Sequence, residues 1–317
     1  MAAVTEPTRP RVVAVVVTFN RLGLLQRLLS RLSEIERLNE VVVVDNASTD
    51  GTSAWLGGLG THSEASAATA PVITPLMLER NRGGAGGFHE GLRLAVERGA
   101  DLAWLMDDDG LPDPDCLDTL LAYDDLDFWG PVVVDEERPE RLVFPIRLPG
   151  GTRVVHDTAA VERAAVDGLL LDVVIPFNGV LVTRQLAQRI GYPREEFFIW
   201  GDDHEYRLRA ERAGARIATV AAARVRHPAV GELGTPMMFG RTTYNHSPSE
   251  LKHYCMARNN TVNLREYRGW PHVLMFWVKT VWFYTFTRPD RGRLRLSARA
   301  VRAALRGDFT GHEELLA

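Results

Sequence analysis

Two short acidic clusters carry side chains that could do chemistry. Asp107–Asp109 directly follow the apolar run "LAWLM", and Asp202–Asp203 follow the aromatic run "FFIW". Adjacent carboxylates repel one another unless a cation or hydrogen-bond donors hold them. Since alternate residues of a strand share a face, Asp107 and Asp109 can face one site, and oxygen ligands favour Mg²⁺ or Mn²⁺. A solvated acidic turn is the alternative for the first cluster, and helix capping is the alternative for the second.

A histidine and a tyrosine–arginine pair are further candidates. His227, in "VRHPAVG", precedes a proline. A lone histidine more often has a structural role, but a nearby carboxylate site favours its interpretation as a metal ligand. Tyr254 and Arg258 are four residues apart, so a helix would place them on one face. Because arginine suits oxyanions, this pair is either a phosphate clamp or an ordinary surface pair.

The stretch "RNRGGAGGF", residues 80–88, has four glycines in five consecutive positions. It matches neither the dinucleotide-binding G-x-G-x-x-G pattern nor a Walker P-loop. We expect the backbone at Gly83 and Gly84 to come close to a ligand that Arg80 and Asn81 help to hold, with Arg80, Arg82 and the start of a helix supplying positive potential toward phosphate. A flexible turn is the alternative.

The elements that must position these residues follow from the hydrophobic pattern. Continuous β-branched or apolar runs at 11–20, 40–46 and 102–110, the last running into the three acids, predict buried parallel strands, with helical periodicity between them. This alternation predicts an α/β fold with a doubly wound, mostly parallel sheet flanked by helices. In such sheets ligands bind beyond the carboxyl ends of the strands, where Thr18, Asp45 and the first acidic cluster stand.

Composition and the C-terminal quarter limit the partners. A net charge of -4 gives no case for bulk attraction to nucleic acid. Two distant cysteines suggest a reducing compartment, and the first residues carry no apolar signal segment. The aromatic run from Trp270 and the Arg-rich run from Arg291 predict helices, and the pattern suits a helix at a membrane interface. A helical pair packed on the catalytic domain, or a dimer contact, is the alternative.

Seven motifs in order, from "VVVTFNR" at residue 15 to "RHP" at 226–228, resemble inverting, nucleotide-sugar-dependent glycosyltransferases of family 2 with the GT-A fold. The others are "VVVVDNASTDGT", "RNRGGAGGF", "WLMDDDG", "FNGVLVTR" and "GDDHEYRLRA". With "FPIR" and the late "Y-x-x-x-RN", the sequence is most similar to the initiating galactofuranosyltransferases of mycobacterial-type cell-wall galactan synthesis.

The resemblance implies a role for each candidate. Asp45 would hold the uracil with Thr18 and Arg21 nearby, and Asp107, with Asp108 beside it, would contact the nucleotide. Asp109 would bind the metal, and His227 would be a further metal or diphosphate contact. Asp203 matches the catalytic base, although its neighbour Asp202 could take that role.

The resemblance also implies the reaction and the domains. We expect a galactofuranosyl group to pass from UDP-galactofuranose to a polyprenyl-diphosphate-linked GlcNAc-rhamnose acceptor, with Mg²⁺ or Mn²⁺, at the inner face of the plasma membrane. The expected domains are a flexible segment at 1–10, a catalytic domain at 11–265 divided near residue 110, and a membrane-associating segment at 266–317. The alternatives are a rhamnosyl- or other hexosyltransferase, a non-catalytic nucleotide-sugar-binding module and a nucleotidyltransferase.

Overall fold

Runs of β-branched residues form the central strands, and the periodic segments between them form helices, over the residues that the computed structural model describes: 9–59, 70–230 and 234–316. Most of the segment predicted as flexible at 1–10 lies outside these residues. The α-helices in chain order are α1 Leu22–Leu32, α2 Thr52–Leu59, α3 Gly83–Glu97, α4 Cys116–Leu120, α5 Thr158–Ala164, α6 Arg184–Ile190, α7 Asp202–Arg212, α8 Glu250–Tyr267, α9 Trp270–Trp282 and α10 Arg291–Arg306.

The strands lie almost entirely in one sheet. In chain order they are β1 Val12–Thr18, β2 Glu40–Asp45, β3 Val72–Met77, β4 Leu102–Asp107, β5 Leu111–Pro112, β6 Phe128–Asp135, β7 Arg141–Arg147, β8 Val154–Asp157, β9 Leu169–Leu171, β10 Asn178–Thr183, β11 Ile217–His227, β12 Thr235–Met237 and β13 Thr242–Tyr244. Short 3₁₀ turns at Glu195–Phe197 and Glu313–Leu315 and a π-helical turn at Phe283–Thr287 complete the regular structure.

The main sheet has the strand order β3-β2-β1-β4-β10-β6-β11-β5. The first four strands of this order are parallel to one another, and β6 is parallel to β11. Strand β10 runs antiparallel to both of its neighbours, β4 and β6. The predicted α/β class, a mostly parallel sheet flanked by helices, is thereby confirmed.

Strand register brings the predicted polar strand ends together. Thr18 pairs with Asp45 across β1 and β2, and Val17 pairs with Asp107 across β1 and β4. Every residue of β1 and β2 is buried, because both faces of these central strands are covered. The convergence of Thr18, Asp45 and Asp107 at one edge, expected from the topology, is confirmed.

The glycines of residues 83–87 belong to a helix, and the sequence predicted that a helix starts in this stretch. Helix α3 begins at Gly83, so the glycines form its first turns. A Cβ at Gly87 would lie 2.5 Å from Val17 Cγ1, and a Cβ at Gly91 would overlap Val15 Cγ1. Close packing of α3 on β1 therefore requires glycine at 87 and 91, and this packing overrides the low helix propensity of glycine.

Contacts divide the chain into two units. The first unit comprises Met1–Arg82, Gly87–Tyr192 and Arg209–Ala229, and it contains the main sheet. The second unit comprises Gly83–Gly86, Pro193–Leu208 and Val230–Ala317. The domain boundaries expected near residues 110 and 265 stay predictions.

Helix α8 is the core of the second unit. Its residues Tyr254, Cys255 and Ala257 pack against Ala300 and Ala303 of α10. Helices α9 and α10 agree with the predicted helical C-terminal segment. None of the helices among the described residues has the length and hydrophobicity that a bilayer crossing needs.

Candidate functional site

Asp108 organises the end of β1 rather than facing outward. The Thr18 hydroxyl donates to Asp108 Oδ2 at 2.7 Å, and Arg21 Nη1 donates to Asp108 Oδ1 at 3.0 Å. Thr18 and Asp108 are both almost fully buried. Burial raises the pKa of Asp108, although the bonds from Thr18 and Arg21 favour its ionised form. These contacts fix the turn that carries the next residue, Asp109.

Asp109 and His227 form the second part of this cluster. Arg21 Nη1 donates to Asp109 Oδ2 at 2.8 Å, and His227 Nε2 lies 3.2 Å from Asp109 Oδ1. Burial alone would raise the pKa of Asp109, but His227 and Arg21 outweigh it and hold that pKa below its ordinary value. Burial alone would lower the pKa of His227, but Asp109 and, more weakly, Asp107 raise it. The structure therefore brings together five predicted residues: Thr18, Arg21, Asp108, Asp109 and His227.

The donor set of Asp109 and His227 fits a divalent cation. Asp109 Oδ1 is buried, and apart from His227 Nε2 at 3.2 Å no described polar group is placed to bond to it. His227 Nδ1 lies 2.7 Å from the Pro228 carbonyl, which favours a proton on Nδ1 and leaves the Nε2 lone pair for a metal. No group of three or more His, Cys, Asp or Glu side chains suited to a metal occurs in the part of the chain that the structure describes. A cation here would complete its coordination with substrate oxygens and water, as Mg²⁺ commonly does.

Asp45 lies at the end of β2 and is buried. Its Oδ1 accepts from Ser48 N at 3.0 Å, and its Oδ2 accepts from the Ser53 hydroxyl. A carboxylate has about four lone-pair sites, so these bonds leave capacity for a ligand. Its predicted role toward uracil stays a prediction.

Sequence reasoning assigned no role to Asn46 or Phe144. Asn46 Oδ1 accepts from the Arg82 backbone N–H at 2.8 Å and so holds the segment that leads into α3. The Phe144 ring packs edge-on against His227 with centroids 5.5 Å apart. Both had a signal, because Asn46 follows Asp45 directly and Phe144 belongs to the "FPIR" motif.

The predicted phosphate contacts lie around the start of α3. Arg80 is exposed and forms no ion pair with any described residue, whereas the Arg82 guanidinium pairs with Glu90 at 2.6 Å. Asn81 is partly buried. Gly83 has a left-handed φ of 69°, and a Cβ there would overlap the Phe198 carbonyl. A Cβ at Gly84 would meet no described atom within 4 Å, so of these two glycines only Gly84 has room on its side-chain face for a ligand.

The second acidic cluster opens α7. Asp202 is buried, and Asp203 is partly exposed with its Oδ1 accepting from His204 N at 2.6 Å. Burial and the negative charge of Asp203 raise the pKa of Asp202 to about 8. Burial also raises the pKa of Asp203. Two adjacent carboxyls do not readily both ionise, so they titrate as a pair, and the more exposed Asp203 is the better placed of the two to be the carboxylate.

Tyr254 and Arg258 face the interior of the second unit. Arg258 is fully buried and donates to the carbonyls of Glu196, Phe197 and Phe309. The Tyr254 hydroxyl donates to the Thr310 carbonyl at 3.0 Å. Because these donors are spent on backbone oxygens, the two side chains hold the fold together. Their hydrogen bonds give Tyr254 and Arg258 a structural role in place of the predicted phosphate clamp.

Comparison with known sequences decides the family. Residues 13–129 match the sequence model of glycosyl transferase family 2. The galactofuranosyltransferase GlfT1 of Mycolicibacterium smegmatis is 30% identical over 304 residues, which are 94% of this chain and 97% of that relative. The chain belongs to glycosyltransferase family 2. GlfT1 of Mycobacterium tuberculosis is 33% identical to this glycosyltransferase over 284 residues, 88% of this chain and 90% of that relative.

Solved structures support the same fold for the glycosyltransferase. The mannosyltransferase PcManGT from Pyrobaculum calidifontis, in complex with GDP-Man and Mn²⁺, has a TM-score of 0.53 and 20% identity over 97% of this chain and 79% of its own. GalNAc-T7 with UDP, GalNAc and Mn²⁺ has a TM-score of 0.58 and 11% identity over 95% of this chain and 57% of its own. These neighbours confirm the GT-A architecture.

Because Gly84 and Gly87 have different surroundings, valine substitutions at these two positions form a matched pair of variants of the glycosyltransferase. We expect Gly84→Val to leave the free energy of unfolding within about 0.5 kcal/mol and to raise the donor KM, because only a ligand would meet the new side chain. Gly87→Val should cost about 1–3 kcal/mol of stability, since its Cβ already collides with Val17. Denaturant unfolding and donor titration of both variants measure this contrast. Unchanged donor KM in Gly84→Val would contradict a ligand at this face.

Proposed function

We propose that this glycosyltransferase moves a galactofuranosyl group, with inversion, from UDP-galactofuranose to a polyprenyl-diphosphate-linked GlcNAc-rhamnose acceptor and so initiates galactan. The observation that carries the choice of sugar is the 30% identity to GlfT1 over 94% of the chain. The full-length match favours the same reaction over a merely shared fold, because it includes the C-terminal helices as well as the nucleotide-binding half.

The proposed metal site is Asp109 with His227. The unsatisfied Asp109 Oδ1 and the Nε2 lone pair of His227 are the two donors that the chain offers. Mn²⁺ accompanies GDP-Man in PcManGT and UDP in GalNAc-T7, which supports a divalent cation here. When bound, the cation would offset the negative charge that grows on the leaving diphosphate. Arg21 holds Asp109 in place, and the exposed Arg80 is the proposed contact of the chain with phosphate.

The proposed general base is Asp203. A base must be ionised and must reach the acceptor, and Asp203 is the partly exposed member of the pair, whereas burial favours the protonated form of Asp202. In the step itself, an acceptor hydroxyl oxygen forms a bond to the anomeric carbon. The bond from that carbon to the diphosphate oxygen breaks, and its electron pair leaves with UDP. The hydroxyl proton goes to Asp203, a contribution of typically about 10²–10⁴-fold.

The proposed membrane contact is an exposed apolar face on α9. Trp270, Leu274 and Val278 recur every four residues, so they share one face, and Leu274 is 64% exposed. Phe286, just beyond α9, is 66% exposed. Exposed arginines follow at Arg288 and Arg291, which suits anionic headgroups. This combination favours a helix lying at the lipid surface, where the prenyl-linked acceptor would be met.

Leu274→Glu tests the membrane contact. Burying one leucine in lipid is worth about 1.5–3 kcal/mol, so we expect this variant to weaken binding to anionic vesicles by about tenfold or more. Leu171→Glu, the same change at an exposed leucine in the first unit, serves as the matched control. Vesicle co-sedimentation measures the difference. Equal binding by both variants, or a change in oligomeric state for Leu274→Glu alone, would favour a protein contact at this face instead.

A donor panel tests the proposed reaction. The purified protein with Mg²⁺ or Mn²⁺ and the prenyl-linked acceptor analogue is supplied in turn with UDP-galactofuranose, UDP-galactopyranose, UDP-glucose and dTDP-rhamnose. We expect transfer from UDP-galactofuranose alone. Transfer only from another donor would overturn the galactofuranosyl assignment in favour of another hexosyltransferase or a rhamnosyltransferase. Donor binding without any transfer or hydrolysis would favour a non-catalytic module.

A further inference from the structure

The loop just before the acidic pair has an unusual backbone. Phe198 has φ 64° and ψ −66°, and Ile199 N donates to the Phe197 carbonyl at 2.8 Å. This geometry is a γ-turn of the rare, strained type. Trp200 is also left-handed, with φ 74°. Non-glycine residues in such conformations persist where surrounding contacts over-determine them, and they cluster at functional sites.

Side-chain amides of α8 supply those contacts. Asn259 Nδ2 donates to the carbonyls of Phe197, Ile199 and Trp200 at 3.0, 3.1 and 2.8 Å. Asn263, one turn later, donates from Nδ2 to the Gly201 carbonyl at 2.9 Å. Both asparagines are buried. The α8 amides therefore hold four carbonyls of the loop, and the last of them belongs to Gly201, which directly precedes Asp202.

The same loop reaches the glycine-rich stretch. The Phe198 carbonyl, at the centre of the γ-turn, accepts from Ala85 N at 3.0 Å. A Cβ at Gly83 would overlap that carbonyl, so glycine is needed for this approach. One strained turn is thus bonded on one side to α8 and on the other to the start of α3. Relaxation of the turn would move the beginning of α7 and the beginning of α3 together.

We propose that Asn259 and Asn263 are positioning residues that hold loop 197–201 in its strained conformation. By holding the loop, they position the acidic pair and the first turn of α3. The proposal rests on the proposed function, because that function makes Asp203 of the acidic pair the general base. It also gives the late "Y-x-x-x-RN" motif a role, since Arg258 holds the adjacent carbonyls of Glu196 and Phe197.

Asn259→Leu and Asn263→Leu are the informative variants, because each roughly keeps the side-chain size and removes the donating amide without adding a charge beside the acidic pair. Thr261→Val is the matched control. Thr261 is buried on the same helix, but its hydroxyl donates to the Ala257 carbonyl within α8 and makes no bond to the loop. We expect each asparagine variant to lower kcat by about tenfold or more, while the affinity for UDP changes by less than about threefold. The control should keep both values near wild type.

The pH profile separates positioning from a general loss of folded enzyme. Burial raises the pKa of both acids, so a loosened loop that admits water should move the acidic limb of the kcat profile to lower pH. Loss of folded protein would scale the profile without moving it. The other ionisable groups that act on the pair or respond to it are Glu205, Arg207 and Cys255, and none of them is changed by the variants.

Hydrogen exchange of the 195–203 amides gives a readout that needs no activity. Faster exchange there in the asparagine variants, but not in Thr261→Val, supports the proposal even if the donor panel fails. Unchanged exchange together with an unmoved pH profile would overturn it, even if the donor panel succeeds. The failure of the positioning role and the failure of the proposed reaction are therefore distinguishable.

Discussion

Asp203→Asn should lower kcat for sugar transfer by about 10²–10⁴-fold while leaving UDP binding unchanged, because an amide cannot accept the acceptor's proton. The substitution keeps the size and shape of the side chain at the start of α7. The Asp203 oxygen that accepts from His204 N has an amide counterpart, so the fold should tolerate the change. Steady-state transfer assays and calorimetric UDP titration of the same preparation measure the two quantities.

Asp202→Asn is the matched control one residue away. Burial and the charge of Asp203 raise the pKa of Asp202 and favour its protonated form, which a neutral amide resembles, so we expect a loss of at most about tenfold. The reverse order, with Asp202→Asn inactive and Asp203→Asn active, would move the base assignment to Asp202. Near-wild-type turnover in both variants would remove this cluster from catalysis.

The pH dependence follows from the same carboxyl. Burial raises the pKa of Asp203, and the base works only when ionised, so kcat should fall as pH falls through that raised value. The acidic limb should therefore lie above the ordinary aspartate pKa of about 3.9.

Asp109→Asn should reduce kcat/KM by about 100-fold or more and weaken Mn²⁺ binding in the presence of UDP. Charge stabilisation by a bound metal is worth several kcal/mol, and about 1.4 kcal/mol corresponds to each tenfold step. The amide keeps one neutral oxygen for the metal but loses the negative charge that attracts it. Mn²⁺ titrations of activity, with calorimetry of Mn²⁺ and UDP together, measure the effect.

Asp113→Asn provides the control for Asp109→Asn. Arg226, the residue before His227, donates from Nε to Asp113 Oδ1 at 2.7 Å. Asp113 itself lies outside the proposed metal site. An exposed pair of this kind is worth about 0–1 kcal/mol, so activity and Mn²⁺ dependence should stay near wild type. An unchanged Mn²⁺ requirement in Asp109→Asn would show that the metal, if used, is bound elsewhere.

The sequence by itself determined the sheet and the edge at which the polar strand ends meet. Apolar runs such as "RVVAVVV" and "EVVVV" can be buried on both faces only as central parallel strands, so their polar ends follow from topology. Three of the motifs that indicated the family, "VVVTFNR", "VVVVDNASTDGT" and "WLMDDDG", contain the ends of such strands, β1, β2 and β4. The role of each side chain at these strand ends could not be predicted as well, because the sequence does not distinguish one adjacent aspartate from the next.

Only the tertiary structure showed which residue of each predicted cluster is hydrogen-bonded within the fold and which one is left available for a ligand. Asp108 is bonded to Thr18 and Arg21, whereas Asp109 next to it keeps an unsatisfied oxygen. Arg258 looked like a phosphate ligand, yet it is buried against backbone carbonyls some 50–60 residues away in sequence. Gly87 is glycine because of Val17, not because of a ligand. Burial and hydrogen bonding between distant segments set these roles, and local sequence patterns carry no record of which distant atom each side chain will meet.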